Sequence, residues 1–127
     1  MIVVDASAAL PALLGSGPAR RTLASEQLHA PHLIDAEVAS GLRRLVSSGR
    51  IGPEAGWLAL SAWQLLGTTR YPLVGLLDRV WDLRDTLTAY DASYAALAEA
   101  LECPLLTADR RLARATGLRC SVTVVPS

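Results

Sequence analysis

The stretch Met1-Ile2-Val3-Val4-Asp5-Ala6-Ser7 decides the fold class, because four apolar residues lead directly into an acid. The run Pro104-Leu105-Leu106-Thr107-Ala108-Asp109 repeats this arrangement near the other end of the chain. A short continuous apolar run is typical of a strand that is buried on both faces. Open α/β sheets bind their ligands beyond the carboxyl ends of such strands. The sequence therefore predicts that Asp5 and Asp109 meet at one edge of a sheet.

The residues between these runs alternate between helical periodicity and short extended segments. Further strands are predicted at residues 27–30, 68–71 and 120–125. Ser7 is predicted to cap a helix over residues 8–14, and residues 74–83 are predicted to form one helix. The resulting order, β-α-α-β-α-α-β-α-α-β-α-β, favours an α/β sandwich with a parallel-dominated sheet. We expect a single domain over residues 1–127.

Composition excludes several classes of protein. Hydrophobic residues make up 51% of the chain and charged residues 19%, which argues for a globular fold and against disorder. No apolar run approaches the roughly 20 residues of a membrane span, and the start lacks the basic segment of a signal peptide. We therefore expect a cytoplasmic location and no membrane partner. Cys103 and Cys120 do not have the spacing of metal ligands.

The charge balance gives no global sign of a nucleic-acid partner, since the formal net charge is zero. The twelve basic residues are all arginine. Arginine binds phosphate in a bidentate manner better than lysine does, although a genome-wide base composition can also replace lysine by arginine. Two arginine pairs lie close to acids in the sequence, Arg43-Arg44 and Arg110-Arg111, either to contact phosphates or as solvated helix faces.

Two further acids complete a candidate site. Glu37 lies on the helix after Pro31, and Asp91 lies in the first turn of a long Ala-rich helix. In a parallel sheet, helix amino termini and strand carboxyl ends share one edge, so Asp5, Asp91 and Asp109 are expected there. Carboxylates in one cleft repel each other unless a cation joins them, and an all-oxygen set selects Mg²⁺ or Mn²⁺. Such ions act on phosphates, which favours phosphoryl chemistry.

Each acid also has a simpler interpretation. Asp5 and Asp109 can cap the helices that follow them, Asp91 can complement a helix dipole, and Glu37 can be a solvated surface acid. Asp35 cannot share a site with Glu37 on a regular helix, because residues two apart point about 200° away from each other. We take Glu37 as the ligand and Asp35 as a helix-start or surface acid.

Two hydroxyl residues and three tryptophans add to the prediction. Ser7 and Thr107 each lie two residues from a key aspartate, so either hydroxyl can support that carboxylate or simply cap a helix or end a strand. Trp57, Trp63 and Trp81 are expected in the core or in an interface.

Four segments together resemble the PIN-domain family, and more narrowly its VapC-type toxins of bacterial toxin–antitoxin pairs. The segments are Val4-Asp5-Ala6-Ser7-Ala8, Pro31 with Glu37-Val38 and Leu42-Arg43-Arg44, Tyr90-Asp91-Ala92-Ser93-Tyr94-Ala95-Ala96-Leu97-Ala98-Glu99, and Leu106-Thr107-Ala108-Asp109-Arg110-Arg111-Leu112. The resemblance covers essentially the whole chain. Many members carry a further acid or amide shortly after the last aspartate, where this chain has Arg110 and Arg111.

The resemblance implies a three-layer α/β/α fold and an endoribonuclease that depends on Mg²⁺ or Mn²⁺. Matched residue by residue, it makes Asp5, Glu37, Asp91 and Asp109 the metal ligands, with Thr107 and Ser7 as the hydroxyls beside them. It also implies a homodimer and a VapB-type antitoxin whose apolar helix binds along the Trp-bearing helices. The alternative is a non-catalytic PIN-like module that binds RNA or protein.

Overall fold

A parallel sheet forms the centre of the molecule. The computed structural model describes residues 1–125. The strands in this range are β1 (Ile2–Val4), β2 (Leu28–Pro31), β3 (Thr69–Tyr71), β4 (Leu105–Thr107) and β5 (Val122–Val124). They lie in the order β3-β2-β1-β4-β5, and every neighbouring pair is parallel. The parallel α/β prediction is therefore confirmed.

Seven α-helices connect the described strands. They are α1 (Ala6–Leu14), α2 (Pro18–Ser25), α3 (Ile34–Ser47), α4 (Pro53–Leu65), α5 (Leu77–Asp82), α6 (Ala89–Leu101) and α7 (Arg110–Arg114). Right-handed crossovers place the β1–β2 and β2–β3 connections on one face of the sheet and the β3–β4 connection on the other. Accordingly, α1 packs against α2, α3 and α4, whereas α6 lies across β1, β2 and β4 with α5 against it.

The central strands explain why the apolar runs are continuous. Val3, Val4, Leu105 and Leu106 are at most 1% exposed, so both faces of β1 and β4 are covered by helices. β1 and β4 pair directly, with Val3 opposite Leu105 and Val4 opposite Leu106. After β1, the chain adds β2 and β3 on one side of this strand and then returns to add β4 and β5 on its other side. The strand order therefore reverses between β1 and β4, and open α/β sheets bind ligands at this reversal.

Two predicted boundaries differ from the structure. The first helix begins at Ala6, and its N-cap is Asp5, whose side chain accepts a hydrogen bond from the Ala8 amide. Ser7, predicted as the cap, lies inside the first turn, because the extended backbone at Asp5 places the carboxylate of that residue against the free amides of the helix. Residues 74–83 form a 3₁₀ turn (Val74–Leu76) followed by the short helix α5, so the single helix predicted there was wrong.

A close approach of α1 and α3 brings the acid-bearing ends of these helices together. A Cβ atom at Gly41 on α3 would lie 2.5 Å from Leu10 Cδ1 on α1. Only glycine lets the two helices approach this closely with Leu10 in its present rotamer. Glu37 lies one turn before Gly41, so the same approach sets its distance from the start of α1.

Asp35 has a structural role on the opposite side of α3 from Glu37. Its carboxylate accepts hydrogen bonds from Trp63 Nε1 at 2.8 Å and from Arg70 Nε at 2.7 Å, so it joins α3 to α4 and β3. Trp63 is buried at 1% exposure and belongs to the core, whereas Trp57 and Trp81 are exposed. The helix-start acid is thus a partner for a buried indole and an arginine.

We expect Asp35→Ala to lower the free energy of unfolding by about 1–3 kcal/mol, because it leaves the buried Trp63 N–H without its acceptor. Urea unfolding followed by tryptophan fluorescence measures this change. Asp85→Ala is the matched control: Asp85 is exposed, makes no side-chain hydrogen bond within residues 1–125, and should shift stability by less than about 0.5 kcal/mol. Equal effects of the two substitutions would contradict the role given to Asp35.

Candidate functional site

The four acids singled out from the sequence line one cavity of about 520 Å³ at the carboxyl edge of the sheet. Asp5 follows β1, Glu37 lies on α3, Asp91 lies in the first turn of α6, and Asp109 follows β4. Ser7 also lines the cavity, and Thr107 lies behind Asp5. The structure thus brings together the predicted residues from four distant segments.

Asp5 is held by both predicted hydroxyl residues. Ser7 Oγ donates to Asp5 Oδ1 at 2.7 Å, and Thr107 Oγ1 donates to Oδ2 at 2.6 Å. The hydroxyls in turn accept hydrogen bonds from the backbone amides of Ala108 and Asp109, at 2.9 and 3.0 Å. This network ties the end of β1 to the end of β4 and leaves the Asp5 carboxylate in one orientation.

Burial gives Asp5 an unusual electrostatic environment. Its side chain is 5% exposed, and desolvation raises the pKa of this carboxyl despite the opposing hydrogen bonds from Thr107, Ser7 and Ala8. The nearby charge of Asp91 raises it further. A buried anion without a cationic partner is costly. Binding of a cation in this site would therefore stabilise the Asp5 carboxylate.

Tyr94 holds Glu37 and was missed by the sequence reasoning. Its hydroxyl donates to Glu37 Oε1 at 2.5 Å, and the ring is 2% exposed. Burial and the hydrogen bond to the Glu37 anion both raise the pKa of Tyr94, so this hydroxyl stays protonated and remains a donor. A signal was present in the sequence, since Tyr94 lies three residues after Asp91 and shares its helix face.

Asp91 is the least constrained acid of the site. Its backbone N–H donates to Thr88 Oγ1 at 3.2 Å, and within residues 1–125 the Thr88 hydroxyl is the one side-chain group that acts on its carboxylate as a hydrogen-bond donor. Burial raises the pKa of this carboxyl, and the charge of Asp109 adds to the effect. The charge of Arg111 acts in the opposite direction.

Asp109 combines two roles that were alternatives in the sequence. It caps α7 through the Arg111 amide at 2.9 Å, and it lines the cavity. The Arg111 side chain binds the same carboxylate, with Nη2 2.6 Å from Oδ2. This guanidinium holds the pKa of Asp109 below its usual value.

Each arginine pair divides between two surfaces. Arg44 lines the acidic cavity beside Ser40, whereas Arg43 lines a groove between α3 and α4. Arg111 contacts Asp109, whereas Arg110 lies along a hollow beside β5. One member of each pair is therefore placed next to the acids.

The donor set suits a hard divalent cation, because it consists of carboxylates and hydroxyls without cysteine, histidine or lysine. As the side chains stand, no three acidic, cysteine or histidine side chains in residues 1–125 converge on a single metal position. The reason is visible in the contacts: Glu37 is turned to Tyr94, and Asp109 is turned to Arg111.

No helix in the described part of the chain is both long enough and apolar enough to cross a bilayer.

Comparisons with known proteins agree with this architecture. The family model described as PIN domain matches residues 2–118. Ribonuclease VapC9 of Mycobacterium tuberculosis is 59% identical over 126 residues, which cover 99% of each chain. The crystal structure of PAE2754 from Pyrobaculum aerophilum superposes with a TM-score of 0.70 at 29% identity, covering 95% of this chain and 81% of that one.

A toxin–antitoxin complex from Klebsiella pneumoniae contains a chain of the same fold, with a TM-score of 0.70 and 19% identity over the full length of both chains. At this identity the likeness shows the fold alone. The family model and the 59% identical relative each match nearly the whole chain and therefore show the family. The protein belongs to the PIN-domain family and, within it, to the VapC ribonucleases.

Proposed function

We propose that this protein is a divalent-metal-dependent endoribonuclease that acts as the toxin of a toxin–antitoxin pair, with residues 1–127 forming one PIN-like domain. The observation that carries the proposal is the cavity in which Asp5, Glu37, Asp91 and Asp109 meet. The full-length likeness to VapC9, a ribonuclease, supports the same activity. Because RNA is the substrate, we place the protein in the cytoplasm.

The four carboxylates are the proposed ligands of one or two Mg²⁺ or Mn²⁺ ions. When bound, such an ion supplies positive charge for the scissile phosphate and for the leaving oxygen, and it activates the attacking water. Ser7 and Thr107 hold the Asp5 carboxylate in one orientation, and Tyr94 holds Glu37 at the wall of the cavity until an ion binds.

The RNA must approach along local charge, since the net charge of the chain is zero. Arg44 is exposed, lines the cavity, and donates to Ser40 Oγ at 3.1 Å. We propose that its guanidinium contacts a phosphate next to the scissile one. Arg43 and Arg110, which face other surfaces, are not assigned to this role.

The groove between α3 and α4 is the proposed antitoxin surface. It has a volume of about 400 Å³ and an almost wholly apolar wall that includes Leu42, Val46, Trp57 and Leu60. Trp57 is 61% exposed, which is a large apolar surface to leave in water. A VapB-type antitoxin would cover it with the apolar face of a helix.

A homodimer is also proposed. Val74, Leu77 and Trp81 are exposed along one side of the 3₁₀ turn and α5, away from the α3–α4 groove. A second copy of the chain can cover these side chains while the groove remains free for the antitoxin.

We expect Asp5→Asn to lower RNA cleavage at least about 100-fold, because loss of a group that only supports a metal ligand already costs about 10- to 100-fold and Asp5 is itself a proposed ligand. Asp5 is the most buried acid of the site, and the neutral side-chain amide of asparagine cannot supply the negative charge of its carboxylate. Cleavage of total RNA, followed by gel electrophoresis with Mg²⁺ or Mn²⁺ present, measures the effect. EDTA should abolish cleavage by the wild-type protein.

The control for this substitution is Asp85→Asn, which removes an exposed carboxyl on the same chain. If Asp5→Asn protein cuts RNA at the wild-type rate, the proposed site is wrong. If the wild-type protein binds RNA without cutting it in any divalent metal, the non-catalytic alternative is correct.

We expect Asp91→Asn to stabilise the protein in EDTA, and to do so more at pH 7 than near pH 3.5. The pKa of Asp91 is raised above its ordinary value of 3.8, so this carboxyl favours the fold while protonated and loses that contribution as the pH rises through its folded pKa. Asparagine carries no such charge and keeps a polar side chain beside the Thr88 hydroxyl. Thermal melting of both proteins across this range measures the difference.

Addition of Mn²⁺ should reverse the order of the two melting temperatures at pH 7, because only the wild type keeps the ligand. Asp85→Asn is again the control and should follow the wild type in both solutions. A stability difference that is the same at both pH values would argue against a desolvated Asp91 carboxylate.

We expect Trp57→Glu to weaken antitoxin binding at least about 100-fold while leaving RNA cleavage intact, because a charge replaces an exposed indole in the apolar groove. Co-expression with the antitoxin in a growth assay, and titration of the purified pair, measure the two properties. Leu65→Glu adds the same charge to an exposed position of the same helix, 88% exposed, and should remain fully neutralised. Full neutralisation of Trp57→Glu would exclude the groove as the antitoxin surface.

A further inference from the structure

Arg111 occupies both oxygens of Asp109. Oδ1 accepts from the Arg111 backbone N–H at 2.9 Å and from Nε at 3.1 Å, whereas Oδ2 accepts from Nε at 3.1 Å and from Nη2 at 2.6 Å. This is the forked geometry in which arginine binds carboxylates most strongly. In this arrangement Asp109 has no oxygen that is free of the guanidinium.

The guanidinium is held by little else. The Arg111 side chain is 81% exposed, and Asp109 is its hydrogen-bond partner in the described part of the chain. Its charge also acts on Asp91, whose carboxyl lies across the same part of the cavity. The positive charge of Arg111 therefore offsets part of the negative charge of Asp91 and Asp109.

Room exists for the Arg111 side chain to move. A separate hollow of about 190 Å³ lies next to the acidic cavity and is lined by Thr86, Thr88, Asp91 and Arg111 among others. The backbone N–H of Arg111 can keep its bond to Asp109 Oδ1 while the side chain turns away. The cap of α7 is then preserved, and Asp109 Oδ2 is released toward the cavity.

We propose that Arg111 is a built-in counter-cation that competes with the divalent metal ion for Asp109. This inference rests on the proposed function, since it assumes that Asp109 is a metal ligand. A guanidinium with its positive charge beside Asp109 and Asp91 repels a dication as well as blocking the oxygens. Metal binding therefore includes displacement of Arg111, and the affinity for the metal is lower than the four carboxylates alone would give.

Mn²⁺ binding without RNA tests the proposal directly. Free Mn²⁺ is measured by electron paramagnetic resonance during titration of the wild type, Arg111→Gln and Arg110→Gln. We expect Arg111→Gln to bind Mn²⁺ about two- to fivefold more tightly, the size expected for loss of an exposed ion pair. Both variants remove one positive charge, but Arg110 makes no ion pair within residues 1–125, so Arg110→Gln should bind like the wild type.

The outcomes separate the inference from the proposed function. Equal or weaker Mn²⁺ binding by Arg111→Gln overturns the inference, as does equal tightening by both variants, which would be a general charge effect. If none of the three proteins binds Mn²⁺, the proposed metal site fails and the inference fails with it. Because Arg111 is exposed, melting in EDTA is expected to show that Arg111→Gln folds like the wild type, and a loss of cooperative unfolding would overturn the inference, since the pair would then be structural.

Discussion

The burial of the Asp5 carboxylate between the ends of β1 and β4 is the constraint on which the site depends. The carboxylate is removed from water, yet it is held by two hydroxyls and one backbone amide instead of by a cation. Hydrogen bonds of this kind offset the desolvation of the charge only in part, so the pKa of Asp5 remains raised. The same contacts fix β1 against β4, so the pairing of these strands also determines the geometry of the site.

The acids of the site serve the fold as well as the proposed chemistry. Asp5 and Asp109 each cap a helix, and each faces the cavity. The cap interpretation and the site interpretation are therefore compatible for both residues. A capping aspartate already has its carboxylate at the positive end of a helix, and this favours the charged form that a metal requires. Where such a cap follows a strand of a parallel sheet, helix capping and ligand placement require the same residue type.

The sequence was sufficient to predict the sheet and the acids, but not the contacts that hold them. Continuous apolar runs such as Val3-Val4 and Leu105-Leu106 identify strands buried on both faces, and the parallel sheet then brings their acids together. Tyr94 was missed because an aromatic residue on an Ala-rich helix is usually a core residue, and it is one here in all but its hydroxyl. The bond between Arg111 and Asp109 depends on one side-chain rotamer, and no periodicity encodes it. Helical geometry was enough to predict that Asp35 and Glu37 do not share a site. It could not identify the partners of Asp35, because Trp63 and Arg70 are distant in sequence.

The pairing of β1 with β4 also has a consequence for synthesis of the protein. Asp5 and its partner Thr107 are 102 residues apart, and the acids of the site come from four segments that meet only when β4 joins the sheet. A chain released or folded before β4 has been made lacks Thr107 and Asp109, and its β1 has no neighbour on that side. A ribosome making this enzyme is thus not exposed to its activity until β4 and Asp109 have been translated, which delays the need for an inhibitor until that point.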